Sequence, residues 1–254
     1  MLNFSANLSF LFQELPMAER YAAAAANGFR AVEFLFPQDE GREKVAEALA
    51  AANVQLQLFN MRAGDWSAGE RGIASLIGRE DEFFAAVDEA IEYAVALGVP
   101  RVNCLPGLVR DNRARAEDIL VERLTVAADM FAKKGLTLLL ENINTIDMPG
   151  FLLPTTRDVF RIIDRVKRDN VKLQYDLYHA QRMEGELVQT LLANLDRIGH
   201  IQIADNPGRG QPGTGEINYP FVLQKFDECG YTGWVGLEYK PVPDTVSSFD
   251  WLRP

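Results

Sequence analysis

The sequence predicts a single (β/α)8 barrel, and three observations carry that reading. Eight short apolar runs rich in β-branched and aromatic residues recur along the chain, helical patterns separate them, and the 254 residues match the roughly 250 that one such barrel needs. Strict alternation with near-continuous apolar strands builds a parallel sheet covered on both faces, and eight units favour closure over an open sheet. An open dinucleotide-binding sheet would carry a Gly-x-Gly-x-x-Gly turn after an early strand, whereas Ser5-Ala6-Asn7-Leu8-Ser9-Phe10 contains no glycine. With no linker, low-complexity tract or solenoid period in view, residues 1–254 are read as one domain.

Taken in order, the first strand is Phe4–Phe10, followed by the helical pattern Ala18–Asn27 and its terminating Gly28. Ala31–Phe36 and Val54–Phe59 are the next strands, with a helix over Glu43–Ala52 between them. The segment Met61–Gly78 then interrupts the rhythm. A connection of that length is uncommon unless it is functional or disordered, and its glycines and central Trp66 suggest a lid or rim over the barrel mouth. Helix Glu82–Leu97 stops at Gly98, strand Arg101–Leu105 follows, and helix Ala116–Lys133 stops near Gly135. Strand Leu136–Leu140, helix Thr156–Val166, strand Val171–Leu177, helix Leu187–Arg197 and strand Ile198–Ile203 continue the alternation. Helix Tyr219–Cys229, stopped by Gly230, leads to strand Trp234–Tyr239, and Pro241–Pro254 closes the last unit.

Composition removes several function classes. Lys and Arg number 26 against 36 Asp and Glu, a formal net charge of −10 with no basic run, which disfavours nucleic acid and anionic membrane surfaces as partners. Apolar stretches fall short of the roughly 20 residues a bilayer span requires. The start Met-Leu-Asn-Phe-Ser-Ala-Asn-Leu-Ser also lacks the pattern of a secretory leader, so a cytoplasmic protein is expected. Cys104 and Cys229 read as small hydrophobes, one in a strand and one at a helix end. With only His179 and His200 present, an imidazole-rich metal site is excluded.

In this architecture the reacting groups sit at the C-terminal ends of the strands. Four consecutive strands end in hard oxygen donors: Glu141-Asn142, Asp176, Gln202 to Asp205, and Glu238. Any one of these could cap a helix or pair with an arginine, but carboxylates converging from neighbouring strands repel in a low-dielectric mouth unless a cation lies between them. Glu141, Asp176 and Glu238 with an amide oxygen form an all-oxygen set suited to Mg²⁺ or Mn²⁺ rather than zinc. The fourth position is open between Gln202 and His200, which share one face of a strand, Gln202 nearer its C-terminal end. His179, three residues past Asp176, can offer a neutral imidazole to a substrate hydroxyl or oxyanion. Arg209, in the Gly- and Pro-rich segment from Asp205 to Asn218, can clamp a carboxylate, and Lys240 is a second candidate cation. Glu33 and Asn60 end the second and third strands and face the same region, where either could equally serve a cap or a turn.

At these residues the chain resembles the xylose isomerase-like TIM-barrel superfamily. The likeness runs the whole length, through Phe4-Ser5-Ala6-Asn7-Leu8-Ser9, Gly28-Phe29-Arg30-Ala31-Val32-Glu33-Phe34, Gly64-Asp65-Trp66, Gly69-Glu70-Arg71-Gly72, Tyr175-Asp176-Leu177-Tyr178-His179, Gln202 to Asn218, and Trp234-Val235-Gly236-Leu237-Glu238-Tyr239-Lys240-Pro241. The resemblance implies Glu141, Asp176, Gln202 and Glu238 as ligands of a divalent metal, Glu141 and Glu238 as the proton-transferring pair, and His179 and Arg209 as substrate contacts. Sugar epimerases of the superfamily have a histidine where this chain has Gln202, a departure that favours the branch acting on hydroxypyruvate. The implied reaction interconverts hydroxypyruvate and tartronate semialdehyde through carboxylate-mediated proton transfer, with Mg²⁺ or Mn²⁺ and no organic cofactor. The expected partner is a small anionic hydroxy or oxo acid, and the outer helices of such barrels commonly pair into dimers or tetramers. A 2-oxo-tetronate isomerase, a ketose epimerase and an inosose dehydratase-type lyase are the alternatives that the same carboxylates could serve. Glu141-Asn142-Ile143-Asn144 tips the reading toward the three-carbon acid.

Overall fold

In the computed structural model, which describes residues 2–109 and 111–252, eight strands follow one another around a ring. They are β1 (Asn3–Asn7), β2 (Ala31–Glu33), β3 (Gln55–Asn60), β4 (Arg101–Asn103), β5 (Thr137–Glu141), β6 (Val171–Asp176), β7 (Ile198–Ile203) and β8 (Trp234–Leu237). Each is parallel to its neighbour, and β8 returns to β1 through Asn3 to Ala6 opposite Trp234 to Leu237, so the described residues form a closed barrel. Helices α1 (Met17–Ala26), α2 (Arg42–Ala52), α3 (Glu80–Leu97), α4 (Arg113–Ala132) and α5 (Thr156–Val166) alternate with the first six strands. Two helices, α6 (Leu177–Met183) and α7 (Leu187–Asn194), lie between β6 and β7, and α8 (Tyr219–Glu228) precedes β8.

Each outer helix buries one stripe against the sheet. On α3 that stripe is Phe83, Ala86, Val87, Ala90 and Ala94, the 3.6-residue repeat of an amphipathic helix. The helix ends where Gly98 takes φ +67°, a left-handed conformation that costs glycine little. On α5 the stripe is Val159, Ile162, Ile163 and Val166, and Thr155 caps the first turn by accepting from the Asp158 N–H at 3.1 Å. The tail closes the barrel's side: Phe249 packs on Phe12 and Phe29, and Trp251 meets Phe4 edge-on. Among the described residues no helix is long and apolar enough to cross a membrane.

Several predicted ends need correction: the strands expected over Phe4–Phe10, Ala31–Phe36, Arg101–Leu105 and Trp234–Tyr239 stop at Asn7, Glu33, Asn103 and Leu237, where the chain leaves the sheet for the loops at the mouth. The strand predicted over Val171–Leu177 ends at Asp176, because the Asp176 carboxylate accepts the backbone N–H groups of Tyr178 and His179 at 2.8 and 3.3 Å and starts α6 immediately. The helix predicted over Leu187–Arg197 tightens into a 3-10 turn at Leu195–Arg197.

The long segment after β3 is fastened along its second half. Gly72 pairs with Pro106, the Ser75 N–H donates to the Pro106 carbonyl at 2.9 Å, and Arg123 of α4 donates to the carbonyls of Ile73, Ala74 and Leu76. Nearer the tip, Trp66 meets Phe36 edge-on at 5.2 Å with the Arg71 guanidinium 4.0 Å over its ring.

Candidate active site

The barrel interior is polar where a barrel of this kind is usually filled by branched apolar side chains. Glu33, at the end of β2, is the centre of a lower layer. Its carboxylate accepts from the Ser5 hydroxyl at 2.9 Å, Asn7 Nδ2 at 3.2 Å and Gln202 Nε2 at 2.7 Å, and lies 2.8 Å from His200 Nε2. Because β2 and β7 are not neighbours in the sheet, the contacts from Gln202 and His200 cross the barrel interior, whereas Ser5 and Asn7 reach over from the adjacent β1. Gly236 makes room for them, since a Cβ there would sit 2.4 Å from Glu33 Oε1. Burial alone would raise the Glu33 carboxyl, but the attraction of His200 and the hydrogen bonds from His200, Gln202 and Ser5 outweigh it and hold it below the usual range.

Above that layer, at the C-terminal mouth, lie three more buried carboxylates. Glu141 accepts from Asn103 Nδ2 at 2.8 Å. Asp176 spends Oδ1 on capping α6 and leaves Oδ2 buried with no hydrogen-bond partner. Glu238 accepts from Arg209 at 2.5 Å and from Asn7 Nδ2 at 3.2 Å. Here burial wins: it raises all three carboxyls, Glu141 being lifted further by Asp176, and Glu238 by Glu141 and Asp176, with Arg209 only partly opposing. Arg209 stands against the faces of Phe10 and Tyr178, at 4.6 and 5.2 Å, and 3.7 Å from Asp176 Oδ2.

The loop that delivers Arg209 is held by Asp205. Its carboxylate accepts the backbone N–H groups of Asn206, Gly213, Gly215 and Ile217, all between 2.8 and 3.1 Å. The strand-end oxygen of Asp205 therefore organises the loop instead of facing the mouth.

The structure brings Glu141, Asp176, Glu238, His179 and Arg209 together. Gln202 lies at their base, its Oε1 accepting from Gln174 Nε2 at 2.6 Å and retaining a second lone pair. His200 sits one step deeper on the same strand, between Glu33 and Arg101. The Lys240 side chain is exposed, and its backbone N–H donates to the Arg209 carbonyl at 2.7 Å. His179 opens the first turn of α6, fully enclosed, its Nε2 3.6 Å from Asp176 Oδ2 and 3.9 Å from Glu141 Oε1. Burial, with Arg209 and Arg182 nearby, keeps this imidazole neutral by lowering it well below its usual range.

A divalent cation fits this mouth. Glu141, Asp176 and His179 each bring a donor atom within 4.8 Å of the others. Among the described residues, three acceptor oxygens there, Asp176 Oδ2, Asn103 Oδ1 and Gln174 Oε1, are buried without a donor, and three carboxylates face one guanidinium. Such an excess of acceptor and negative charge is what a cation neutralises. Residues the sequence reading passed over are Asn7, Asn103 and Gln174. Asn103 carried the same signal as Glu141, a polar group closing an apolar strand, while Asn7 and Gln174 gained meaning only from partners on other strands.

A sequence model of the family described as xylose isomerase-like TIM barrel matches residues 21–254. The chain is 49% identical to the hydroxypyruvate isomerase of Escherichia coli (strain K12), covering 100% of this chain and 99% of the relative. It is 43% identical to a 2-oxo-tetronate isomerase of Cupriavidus necator, covering 100% and 98%. A crystal structure described as AP endonuclease, family 2 from Brucella melitensis superposes with a TM-score of 0.98 at 42% identity, covering 100% of this chain and 99% of that one. With a closed eight-stranded barrel, acidic strand ends at its mouth and likeness along the whole chain, this protein belongs to the xylose isomerase-like TIM barrel family.

Proposed function

We propose that this chain is an isomerase that interconverts hydroxypyruvate and tartronate semialdehyde. The observation that carries the reading is the convergence of Glu141, Asp176 and Glu238 beside the guanidinium of Arg209, in a chain that shares 49% identity with a hydroxypyruvate isomerase.

The reaction moves one hydrogen from C3 to C2 and one from the C3 oxygen to the C2 oxygen, leaving the overall oxidation state unchanged. It needs a base on one carbon, an acid at the next, and stabilisation of charge on two oxygens. Glu141 and Glu238 supply the first two: they are buried carboxyl groups that converge on the mouth from β5 and the end of β8, and a positioned acid or base is worth about 10²–10⁴-fold. The His179 imidazole and the Asn103 amide line the mouth for the substrate oxygens, and Arg209, held between Phe10 and Tyr178, is the counter-charge for the substrate carboxylate. Glu141, Asp176, Gln202 and Glu238 would hold a divalent ion, Mg²⁺ or Mn²⁺, which when bound neutralises the carboxylates and acts as a Lewis acid toward the substrate oxygens. Redox-neutral proton transfer calls for no organic cofactor.

The test is turnover of hydroxypyruvate by chelator-stripped protein before and after adding Mg²⁺ or Mn²⁺, with product reduced by a coupled NADH-dependent tartronate semialdehyde reductase. Metal-restored turnover is expected. If both metals leave hydroxypyruvate untouched while a 2-oxo-tetronate is converted, the four-carbon acid replaces it as substrate.

A further inference from the structure

We infer that Asn144 is a positioning residue that locks the proton of His179 on Nε2, so that this histidine faces the site as an N–H donor and does not ligate metal. The inference deepens the proposed reaction and rests on it only for the kinetic consequence.

The geometry begins with the Asn144 amide, which is buried in the loop after β5. Its Oδ1 accepts two backbone N–H groups, from Ile146 at 3.0 Å and Asp147 at 2.8 Å. Its Nδ2 lies 3.0 Å from Asp147 Oδ2 and 2.6 Å from His179 Nδ1. Rotating the amide by half a turn would point two N–H donors at two others and an oxygen at a carboxylate, so only one orientation is satisfied. Asp147 is held in place on the far side by the Tyr178 hydroxyl at 2.6 Å and Arg182 at 3.1 Å. With both Nδ2 hydrogens directed at acceptors, His179 Nδ1 must carry the lone pair. Its proton is then on Nε2, which faces Asp176 and Glu141 across gaps of 3.6 and 3.9 Å, too long for direct hydrogen bonds.

Two consequences follow. Binding a metal through Nε2 would move the proton to Nδ1 and set it against the Asn144 N–H, donor against donor. The metal-binding set is thereby confined to oxygen, although His179 lies within reach of the carboxylates. A neutral imidazole N–H fixed toward the mouth is also suited to a substrate oxygen that gains negative charge during proton transfer.

Only two histidines are present, so the test is direct. Nitrogen-15 NMR of the Mg²⁺-loaded protein, assigned through the His179→Gln variant, is expected to show Nδ1 of His179 as the unprotonated, pyridine-type nitrogen and Nε2 as the protonated, pyrrole-type one. Nδ1 carrying the proton, or Nε2 losing its proton when Mg²⁺ is added to the chelator-stripped protein, overturns the proposal. Asn144→Asp, made together with Asp147→Asn so that two carboxylates are not set 3.0 Å apart, keeps the acceptor for the two backbone N–H groups but offers His179 an acceptor. It is expected to move the proton to Nδ1 and to lower kcat by about 10²-fold with a smaller change in KM. An unchanged tautomer in the folded double variant removes Asn144 as the cause. Should that variant fail to fold, the wild-type spectrum still decides which nitrogen is protonated. Absence of activity on hydroxypyruvate would defeat the proposed reaction and leave the tautomer result standing.

Discussion

Glu33 and Glu141 are both glutamates at the ends of barrel strands, and both are enclosed, yet the protein treats them oppositely. Glu33 receives the Ser5 hydroxyl and the Asn7 and Gln202 amides, with His200 beside it, and is held below the usual carboxylate range. Glu141 receives one amide, from Asn103, faces a second carboxylate, and is raised. Burial is common to both, so the difference lies in the donors supplied. The lower layer is a finished polar core, whereas the mouth is left short of donors and of positive charge, a condition that a substrate and a cation can complete.

The largest expected effect separates the layers by activity. Glu238→Gln should lower kcat by about 10³-fold or more while circular dichroism and melting remain near wild type, because a general acid or base is removed without a change of shape. Near wild-type turnover would take Glu238 out of the reaction. Glu33→Gln should do the reverse, costing about 1.5–3 kcal/mol of stability in urea titrations, as several donors lose a charged acceptor. If that variant melts like wild type, the finished-core reading fails.

A third prediction concerns pH. In the metal-free protein Glu141 is pushed up to about 8 and Glu238 is raised as well. The fold therefore keeps protons that the unfolded chain has released, and these two groups make it less stable as pH climbs from the ordinary carboxylate range toward Glu141's raised value. Glu33, lowered, acts in the opposite sense: its contribution is present above the ordinary carboxylate range and is lost in acid. A bound divalent ion displaces the mouth protons, so the rise in Tm produced by Mg²⁺ should grow between about pH 6 and pH 8. A shift independent of pH would mean the ion binds elsewhere. The smallest effect belongs to Lys240→Ala, whose exposed side chain should leave kcat/KM within about twofold. A tenfold loss would bring Lys240 into the site.

The same contrast explains what was legible in the sequence. The strands were readable because each is a local run of apolar residues, and Glu141, Asp176 and Glu238 were readable as carboxylates closing such runs. Glu33 was noticed at a strand end, but its function depends on Ser5, Asn7, His200 and Gln202, which come from β1 and β7. No local pattern announces a partner so far along the chain. Helix α6 was hidden because Asp176 serves at once as the last strand residue and the first helix cap, leaving no loop to mark the change. Lys240 looked close to Glu238 by number, but β8 stops at Leu237 and strand alternation no longer governs where its side chain goes.

Asp205 gathers four backbone N–H groups spread over its loop, so the segment carrying Arg209 is braced from within, while the Lys240 N–H on the Arg209 carbonyl and the Gln211–Val242 pair tie it to the chain after β8. Grafted onto another barrel of this family, Asp205 through Ile217 should keep its curvature where the partners at Lys240 and Val242 travel with it and Gly215 is kept, because a Cβ there would meet the Asn206 carbonyl at 2.1 Å. Exchanging Arg209 alone alters the charge offered to the substrate, whereas exchanging Asp205 dissolves the frame that aims it. Anyone reshaping this mouth can vary the first while leaving the second untouched.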